Sequence, residues 1–238
     1  MALASFPDGS YLELIAIQPH ADANAVAAHA WAKQLQGDAG PTAWAVRPKN
    51  LAAEIKRLRA ADVAVGDAAR GGRQRPDGTR LEWETAAVGN EPNGTFFPFL
   101  ISDLTPRKQR VFPKGHPTTK DFEGVSKVVI AVRDLKKSVE RYRKAYDLGP
   151  PIEQAEKTWN AQLALLGGTP VILASPVNAQ SWLASRLNRF GEGPCAFILS
   201  ARKAGRYKAA SKTRWFGADF SWFDPARLGW HLGFEELE

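Results

Sequence analysis

In Lys127-Val128-Val129-Ile130-Ala131-Val132, one charged residue is followed by five apolar residues. Arg133-Asp134-Leu135 comes directly after them. The apolar run predicts a buried strand. Asp134 is suited to cap a helix, because its carboxylate can accept from the first free N–H groups. Four side chains would then share one helical stripe: Leu135, Val139, Tyr142 and Tyr146. The stretch therefore predicts a strand that leads into an amphipathic helix.

The same arrangement occurs earlier in the chain. Ala43-Trp44-Ala45-Val46 predicts an apolar strand, and Asn50 is placed to cap the helix after it. Leu51, Ile55 and Leu58 form the apolar stripe of that helix. Because the strand–helix pair recurs, we expect a repeated architecture.

Short strands separated by turns follow each helix. Residues 79–84 and 95–101 follow the first, and residues 158–166 and 171–174 follow the second. Each unit therefore reads β-α-β-β-β. A third unit is predicted over residues 195–234, with a less regular middle.

The stretch Tyr11-Leu12-Glu13-Leu14-Ile15-Ala16-Ile17 predicts a buried strand with one carboxylate in its middle. A buried carboxylate is costly unless it is paired, hydrogen-bonded or bound to a metal. We interpret this stretch as the last strand of a further unit that lacks its opening strand and helix. An upstream start is the explanation we favour, and a partner or swapped segment that fills the gap, as in a homodimer, is the alternative.

The predicted fold class is α+β, with tandem βαβββ modules. Residues 104–123 are rich in Pro, Lys and Arg, which is typical of a linker. We therefore expect a first domain over residues 1–110, a linker over 111–121 and a second domain over 122–238.

Composition limits the class of protein. With 44% hydrophobic and 24% charged residues the chain is predicted to be globular, and no apolar run approaches the ~20 residues of a membrane span. One cysteine, Cys195, leaves no intrachain disulfide and, with no secretory signal, favours the cytoplasm. The net charge of +7 is dispersed over helices and loops, so we expect neither a nucleic-acid nor a membrane partner.

Paired βαβββ units resemble the vicinal oxygen chelate superfamily of glyoxalases, extradiol dioxygenases and bleomycin-resistance proteins, and within it a bacterial glyoxalase-like domain. The residues that carry the resemblance are Tyr11–Ala16, Trp44–Arg47, Arg75–Trp83, Pro98–Ile101 and Val128–Leu135. The resemblance implies cupped mixed sheets with helices on the outer face and a binding site inside the cup.

In metal-dependent members of that superfamily, a first-strand His and a last-strand Glu or His point into the cup. The resemblance places Glu13 at a last-strand position, as a metal ligand or catalytic residue. The other ligand positions fall at Ala43, Phe99, Lys127, Ile172, near Pro194 and at Gly233. None of these is the expected ligand, so we expect at most one divalent metal, in the first domain, and none in the second.

Other candidate residues surround the first cup. Arg73 and Arg75 flank a Pro-Asp-Gly turn and could clamp an anionic substrate, or be ordinary surface charge. Trp83, Phe97 and Phe99 could stack on a small molecule, or pack in the core. An arginine of this region (Arg47, Arg73, Arg75 or Arg80) could pair with Glu13 instead of a metal. His116 lies in the linker, where it could fold back over the cup.

Three functions stay open at this point. The first is a lyase, isomerase or dioxygenase with an incomplete metal site. The second is a metal-free module that binds or sequesters a small molecule through Trp83, Phe97 and Phe99, as bleomycin-resistance proteins do. The third is a degenerate scaffold, in which the second domain only supports the first.

Overall fold

The computed structural model describes residues 2–237. The strands are β1 (Ala2–Ser5), β2 (Tyr11–Leu14), β3 (Ala45–Val46), β4 (Ala69–Gln74), β5 (Arg80–Ala86), β6 (Phe99–Asp103), β7 (Phe122–Ala131), β8 (Ile152–Glu156), β9 (Ala161–Leu165), β10 (Val171–Pro176), β11 (Gly193–Ala201), β12 (Ser211–Trp215), β13 (Ala218–Trp222) and β14 (His231–Glu236). The helices are α1 (Ala23–Ala27), α2 (Ala32–Gln36), α3 (Leu51–Ala60), α4 (Arg107–Val111), α5 (Leu135–Tyr146), α6 (Trp182–Phe190) and α7 (Pro225–Leu228).

The larger sheet, called the second sheet below, has eight strands in the order β12-β13-β14-β11-β7-β10-β9-β8. β7 is parallel to β10 and β11 is parallel to β14, while β7 and β11 pair antiparallel at the centre. Two modules of the same strand order thus join back to back. A 3₁₀ turn at Ala204–Arg206 connects the first two strands of one module, at the chain position that α5 has in the other module. The α+β fold of repeated modules is confirmed.

The smaller sheet, called the first sheet, contains one more such module. Its order is β3-β6-β5-β4, with β3 parallel to β6, which repeats the order β7-β10-β9-β8. Both predicted helix caps are formed. Asn50 accepts from the N–H of Ala53 at 2.9 Å, and Asp134 accepts from the N–H of Lys137 at 3.0 Å.

The helices of the two modules pack against each other in the main core. Leu58 of α3 and Tyr142 of α5 belong to one buried cluster, together with Leu100 of the first sheet and Ile130 of the second. Arg57 of α3 donates to the carbonyl oxygen of Ala145 at 2.8 Å. The strands of the first sheet all precede residue 104, and those of the second sheet all follow residue 121, yet the two sheets share this core. The division of the chain at 111–121 stays a prediction.

The prediction of a buried strand over residues 11–17 is wrong. Strand β2 ends at Leu14 and pairs only with β1, in a hairpin of its own. Glu13 and Leu14 are exposed, because a two-stranded hairpin has no second layer over this end. The hairpin is held instead by its turn, where Phe6 is buried against Phe122 and Phe234. The apolar pattern indicates a strand correctly, but the predicted length and burial of that strand are wrong.

No helix in the described part of the chain has both the length and the apolar character that a bilayer crossing requires.

Candidate functional site

The first sheet has two different faces. Leu100 points toward α3, so its neighbours Phe99, Ile101 and Asp103 point the other way, toward what we call the inner face. Trp83 of β5 is opposite Asp103 and shares that face. By the same register the inner face extends to Gly71 and Arg73 of β4.

A charged network covers one end of the inner face. Arg110 of α4 forms an ion pair with Asp103, and their side chains are only 6% and 7% exposed. Arg110 also donates to the hydroxyl of Tyr11. Arg107 lies 3.5 Å from the Asp103 carboxylate and donates to the carbonyl oxygen of Gly9. The network therefore ties α4 and the N-terminal hairpin to the first sheet.

The pKa of Asp103 reflects this network. Burial alone would raise the pKa of this carboxyl, but the hydrogen bond and charge of Arg110, helped by Arg107, lower it below its usual range. The same ion pair outweighs burial at Arg110 and raises the pKa of its guanidinium. Both groups are consequently charged at neutral pH.

A cavity of about 620 Å³ opens beside this network, and we call it the basic cavity. It is lined by Ala2, Leu3, Arg73, Gln74, Arg75, Pro76, Pro113, Lys114, His116 and Thr118. These residues come from β1, from the end of β4 and the turn after it, and from the segment after α4. Arg75 donates to the carbonyl oxygen of Pro113 at 2.6 Å, which holds two of these walls together. Among the described lining residues, none is acidic.

The predicted site residues lie in different places. Arg73 and Arg75 both line the basic cavity. Trp83 is on the inner face but lies over Gly71, where a side-chain Cβ would come within 2.7 Å of its Nε1. Phe99 is half-buried against Gly94. Their roles in binding stay predictions.

Neither Phe97 nor Glu13 is among the described residues that line the basic cavity. Phe97 is 3% exposed and packs against Tyr142 and Tyr146 of α5, with ring centroids 4.9 and 6.1 Å away. Glu13 is exposed opposite Leu3 of β1, and none of the ion pairs among the described residues includes it. Its catalytic or metal role stays a prediction.

The residues at the family's ligand positions do not fit a metal ion. The exposed carboxylate of Glu13 is on the hairpin, not on either large sheet. In the second sheet, Lys127 forms an ion pair with Glu235 at 3.3 Å, and Ile172 is fully buried. The ring of Trp222 lies over Gly233. Within residues 2–237, no group of three or more His, Cys, Asp or Glu is arranged to hold a metal.

The inner face of the second sheet is filled by the protein itself. Helix α6 inserts Leu183 and Leu187 there, among the rings of Trp159, Trp215 and Trp222. His231 stacks on Trp182 of α6, with ring centroids 4.1 Å apart and planes 17° from parallel. Burial first, and then the charge of Arg186, lower the pKa of His231 to about 4. This cup therefore holds a neutral histidine in a packed aromatic cluster.

Sequence reasoning missed several residues that the structure brings together. Lys114 lines the basic cavity together with His116. The sequence allows His116 to fold back over the cup but does not require it. Arg107 and Arg110 lie in the Pro-, Lys- and Arg-rich stretch 104–123, whose composition by itself indicates only a domain boundary. The excess of Arg and Lys between residues 106 and 114 was a usable signal, since a short basic segment after a last strand can fold back onto the sheet.

Comparisons with known proteins agree with this architecture. The family model of a glyoxalase-like domain matches residues 1–146, which include the first sheet, β7 and α5. No curated protein matches the sequence.

One of the similar solved structures covers nearly the whole chain, and two others cover about half of it. A hypothetical protein from Staphylococcus aureus is 13% identical, with a TM-score of 0.60, over 99% of this chain and 84% of that chain. Methylmalonyl-CoA epimerase from Mycobacterium tuberculosis is 20% identical, with a TM-score of 0.42, over 52% of this chain and 93% of that chain. The Streptomyces coelicolor epimerase, in complex with 2-nitronate-propionyl-CoA, is 17% identical, with a TM-score of 0.38, over 47% of this chain and 95% of that chain.

Proposed function

This chain belongs to the glyoxalase-like domain family, and on that premise we propose that it binds a small organic anion in the basic cavity. The observation that carries the proposal is the convergence of Arg73, Arg75, Lys114 and His116 on one cavity of about 620 Å³. That volume is within the range of small-molecule sites. None of the described lining residues is acidic, and the carboxylate of Asp77, outside the lining, pairs with Arg75 at 3.4 Å.

The lining also indicates the chemical class of the ligand. Arginine presents a planar fork of N–H donors that suits a carboxylate or phosphate, and Lys114 adds a point charge. Leu3, Pro76 and Pro113 provide apolar walls between these cations. A ligand with an anionic group and a compact apolar body would satisfy both kinds of surface.

The proposed binding does not use a metal, because the family's ligand positions do not suit one in this chain. Arg73 and Arg75 would instead orient the anionic group directly. In this proposal the second sheet is a scaffold, whose filled cup supports the first sheet through the core that α3 and α5 share.

Benzoate and its uncharged analogue benzamide test this proposal by isothermal titration calorimetry. We expect saturable binding of benzoate and none of benzamide, since the anionic group is what the cavity recognises. Lys114→Gln should weaken benzoate binding roughly tenfold, because one charged hydrogen bond is lost. Lys114 is exposed, so the variant should keep the fold.

Lys136→Gln is the matched control, since it removes an equally exposed lysine from α5, away from the cavity. Equal binding of benzamide, or equal losses in the two variants, would contradict the proposal.

His116 favours a second candidate, a proton-transfer enzyme acting on such an anion. Its exposed ring lines the cavity, and its Nδ1 lies 3.0 Å from the carbonyl oxygen of Pro117. Histidine is the side chain best suited to exchange a proton near neutral pH. Deuterium uptake by 2-oxo acids in D₂O, followed by NMR, would support the enzyme if His116→Gln abolishes the uptake but keeps benzoate binding. No uptake above the buffer rate would leave the binding function alone.

A further inference from the structure

A second cavity, separate from the basic cavity, lies at one edge of the first sheet, and we call it the edge cavity. Strands β3 and β6 are parallel, so their carboxyl ends leave the sheet at the same edge. The loop after β3 and the loop after β6 flank a space of about 400 Å³ there, which is open to solvent. The lining residues are Arg47, Pro48, Lys49, Ser102, Asp103, Leu104, Thr105, Pro106 and Arg107.

Positive charge exceeds negative charge in this cavity. Arg47 and Lys49 are exposed, and neither takes part in an ion pair or hydrogen bond among the described side chains. Asp103 is the acidic residue of the described lining, and Arg110 already engages both of its carboxylate oxygens. Arg107 has to share that same carboxylate. The described lining therefore has three cationic side chains and one carboxylate, and Arg110 already pairs with that carboxylate.

The excess positive charge affects the pKa of Arg107. Burial first, and then the charges of Arg110 and Arg47, lower the pKa of its guanidinium. The Arg107 side chain is nevertheless fixed in place, because it donates to Gly9 and lies beside Asp103. A cation held near other cations in this way is stabilised by a bound anion, and it needs little ordering to bind one.

We propose that the edge cavity binds a doubly charged oxyanion of the phosphate type. Arg107 would supply the preorganised contact, and Arg47 and Lys49 would close on the anion from the opposite loop. A phosphate group matches this set better than a carboxylate, because it carries more charge and more acceptor oxygens for three cationic side chains. Pro48 and Pro106 restrict the backbone of both loops, which favours a fixed site.

Calorimetric titration at constant ionic strength tests the proposal, with inorganic phosphate, phenyl phosphate and acetate as probes. We expect saturable phosphate binding and at least tenfold weaker acetate binding. The double variant Arg47→Gln with Lys49→Gln should weaken phosphate binding by roughly tenfold or more, because hydrogen bonds to charged groups are lost. Both residues are exposed, so the fold should be kept.

Lys136→Gln with Lys137→Gln is the matched control, because it removes two exposed lysines from α5 without touching either cavity. Phosphate affinity should be unchanged in this control. Titrations made while benzoate saturates the basic cavity should show the same loss for Arg47→Gln with Lys49→Gln, which separates the edge cavity from the basic cavity. Equal binding of both phosphate probes would identify a phosphorylated organic molecule as the natural ligand, and binding of inorganic phosphate alone would identify the free ion.

The proposal is overturned if phosphate does not saturate, if acetate binds as tightly, or if the control loses as much affinity as Arg47→Gln with Lys49→Gln.

Discussion

The inner face of the first sheet carries charged side chains beside an open cavity, whereas the inner face of the second sheet is filled by tryptophans. Both sheets are built from the same βαβββ module, with the same strand order. In the first sheet, α4 and the hairpin cover the face through the ion pair of Arg110 with Asp103. In the second, α6 enters the cup and packs Leu183 and Leu187 against it.

The difference shows how one module can serve two purposes. A helix with an apolar stripe fills a cup completely, because its side chains interdigitate with those of the strands. A short helix held by arginines cannot fill the face that it covers, because the charged groups must keep their partners. The space left at its sides is where the basic cavity and the edge cavity lie.

Removing a ring from the filled cup should have the largest effect on stability. Trp222 is 2% exposed and donates to the hydroxyl of Thr213 at 2.8 Å. Trp222→Ala should lower the free energy of unfolding by ~3–5 kcal/mol, because it leaves a large cavity and an unpaired hydroxyl. Trp83→Ala, on the half-buried inner face of the first sheet, should lower it by only about half as much. Urea denaturation measures both.

Trp222→Phe should lower the free energy of unfolding by less than Trp222→Ala, so it can be measured even if the alanine variant does not fold. Equal losses for Trp222→Ala and Trp83→Ala would mean that the two inner faces are equally packed.

The ion pair that covers the first sheet should come next in size. Asp103→Asn leaves the buried guanidinium of Arg110 without its counter-charge, and we expect a loss of roughly 3 kcal/mol. Because the pKa of Asp103 is lowered in the folded protein, its contribution is present above the ordinary carboxyl pKa. It is lost as the pH falls through the lower, folded value. The deficit of the variant should therefore shrink in acid.

Asp62→Asn is the control, since Asp62 pairs with Lys144 at 2.7 Å on the exposed surface. It should cost much less than Asp103→Asn, because ion pairs on the exposed surface contribute little to stability. A deficit of Asp103→Asn that is no larger than this, or that does not depend on pH, would mean that the network does not hold α4 in place.

Much of the fold could be predicted from the sequence because its signals are local. The caps at Asn50 and Asp134 and the apolar stripes after them are short patterns, and each forms as expected. The stretch over residues 11–17 shows the limit of such signals. Its apolar residues predict a strand, but which strand pairs with it depends on distant parts of the chain, and β1 is its only neighbour in the described sheets.

The site was less predictable for the same reason. The basic cavity brings together Leu3, Arg75 and Lys114, which lie far apart in the sequence. Arg73 and Arg75 could be nominated because they flank a recognisable turn. Lys114 is harder to nominate, because the basic composition around it indicates a segment that can fold back but not the strand that it contacts. The filling of the second cup by α6 is likewise a tertiary event with no local pattern.

A glycine in the filled cup offers a smaller test of the comparison. A Cβ on Gly233 would come within 2.8 Å of Cε3 of Trp222. Gly233→Ala should therefore destabilise the protein by ~1–3 kcal/mol, because a closely packed ring has to move. Gly167→Ala, in the open turn between β9 and β10, has no neighbour within 4 Å and should be neutral or slightly stabilising. Similar melting temperatures for both variants would show that the cup is looser than its geometry indicates.

A further test concerns pH and depends on the burial of His231 in the filled cup. His231 in the filled cup has a pKa of about 4. Between pH 6.5 and 4 its imidazole is therefore protonated in the unfolded chain but largely neutral in the folded chain. Stability should fall with decreasing pH across that window, by at most about 1.4 kcal/mol per pH unit from this residue. Below pH 4 both states are protonated, and the loss becomes constant.

Urea midpoints at pH 7, 5.5 and 4.5 measure this slope, and His231→Phe and His231→Gln should both flatten it. Phenylalanine keeps the stacking on Trp182, and glutamine keeps a polar group, so a flattening that both variants share is due to the imidazole. Parallel curves for wild type and both His231 variants would mean that water reaches the second cup, and the contrast between a filled face and an open one would then be lost.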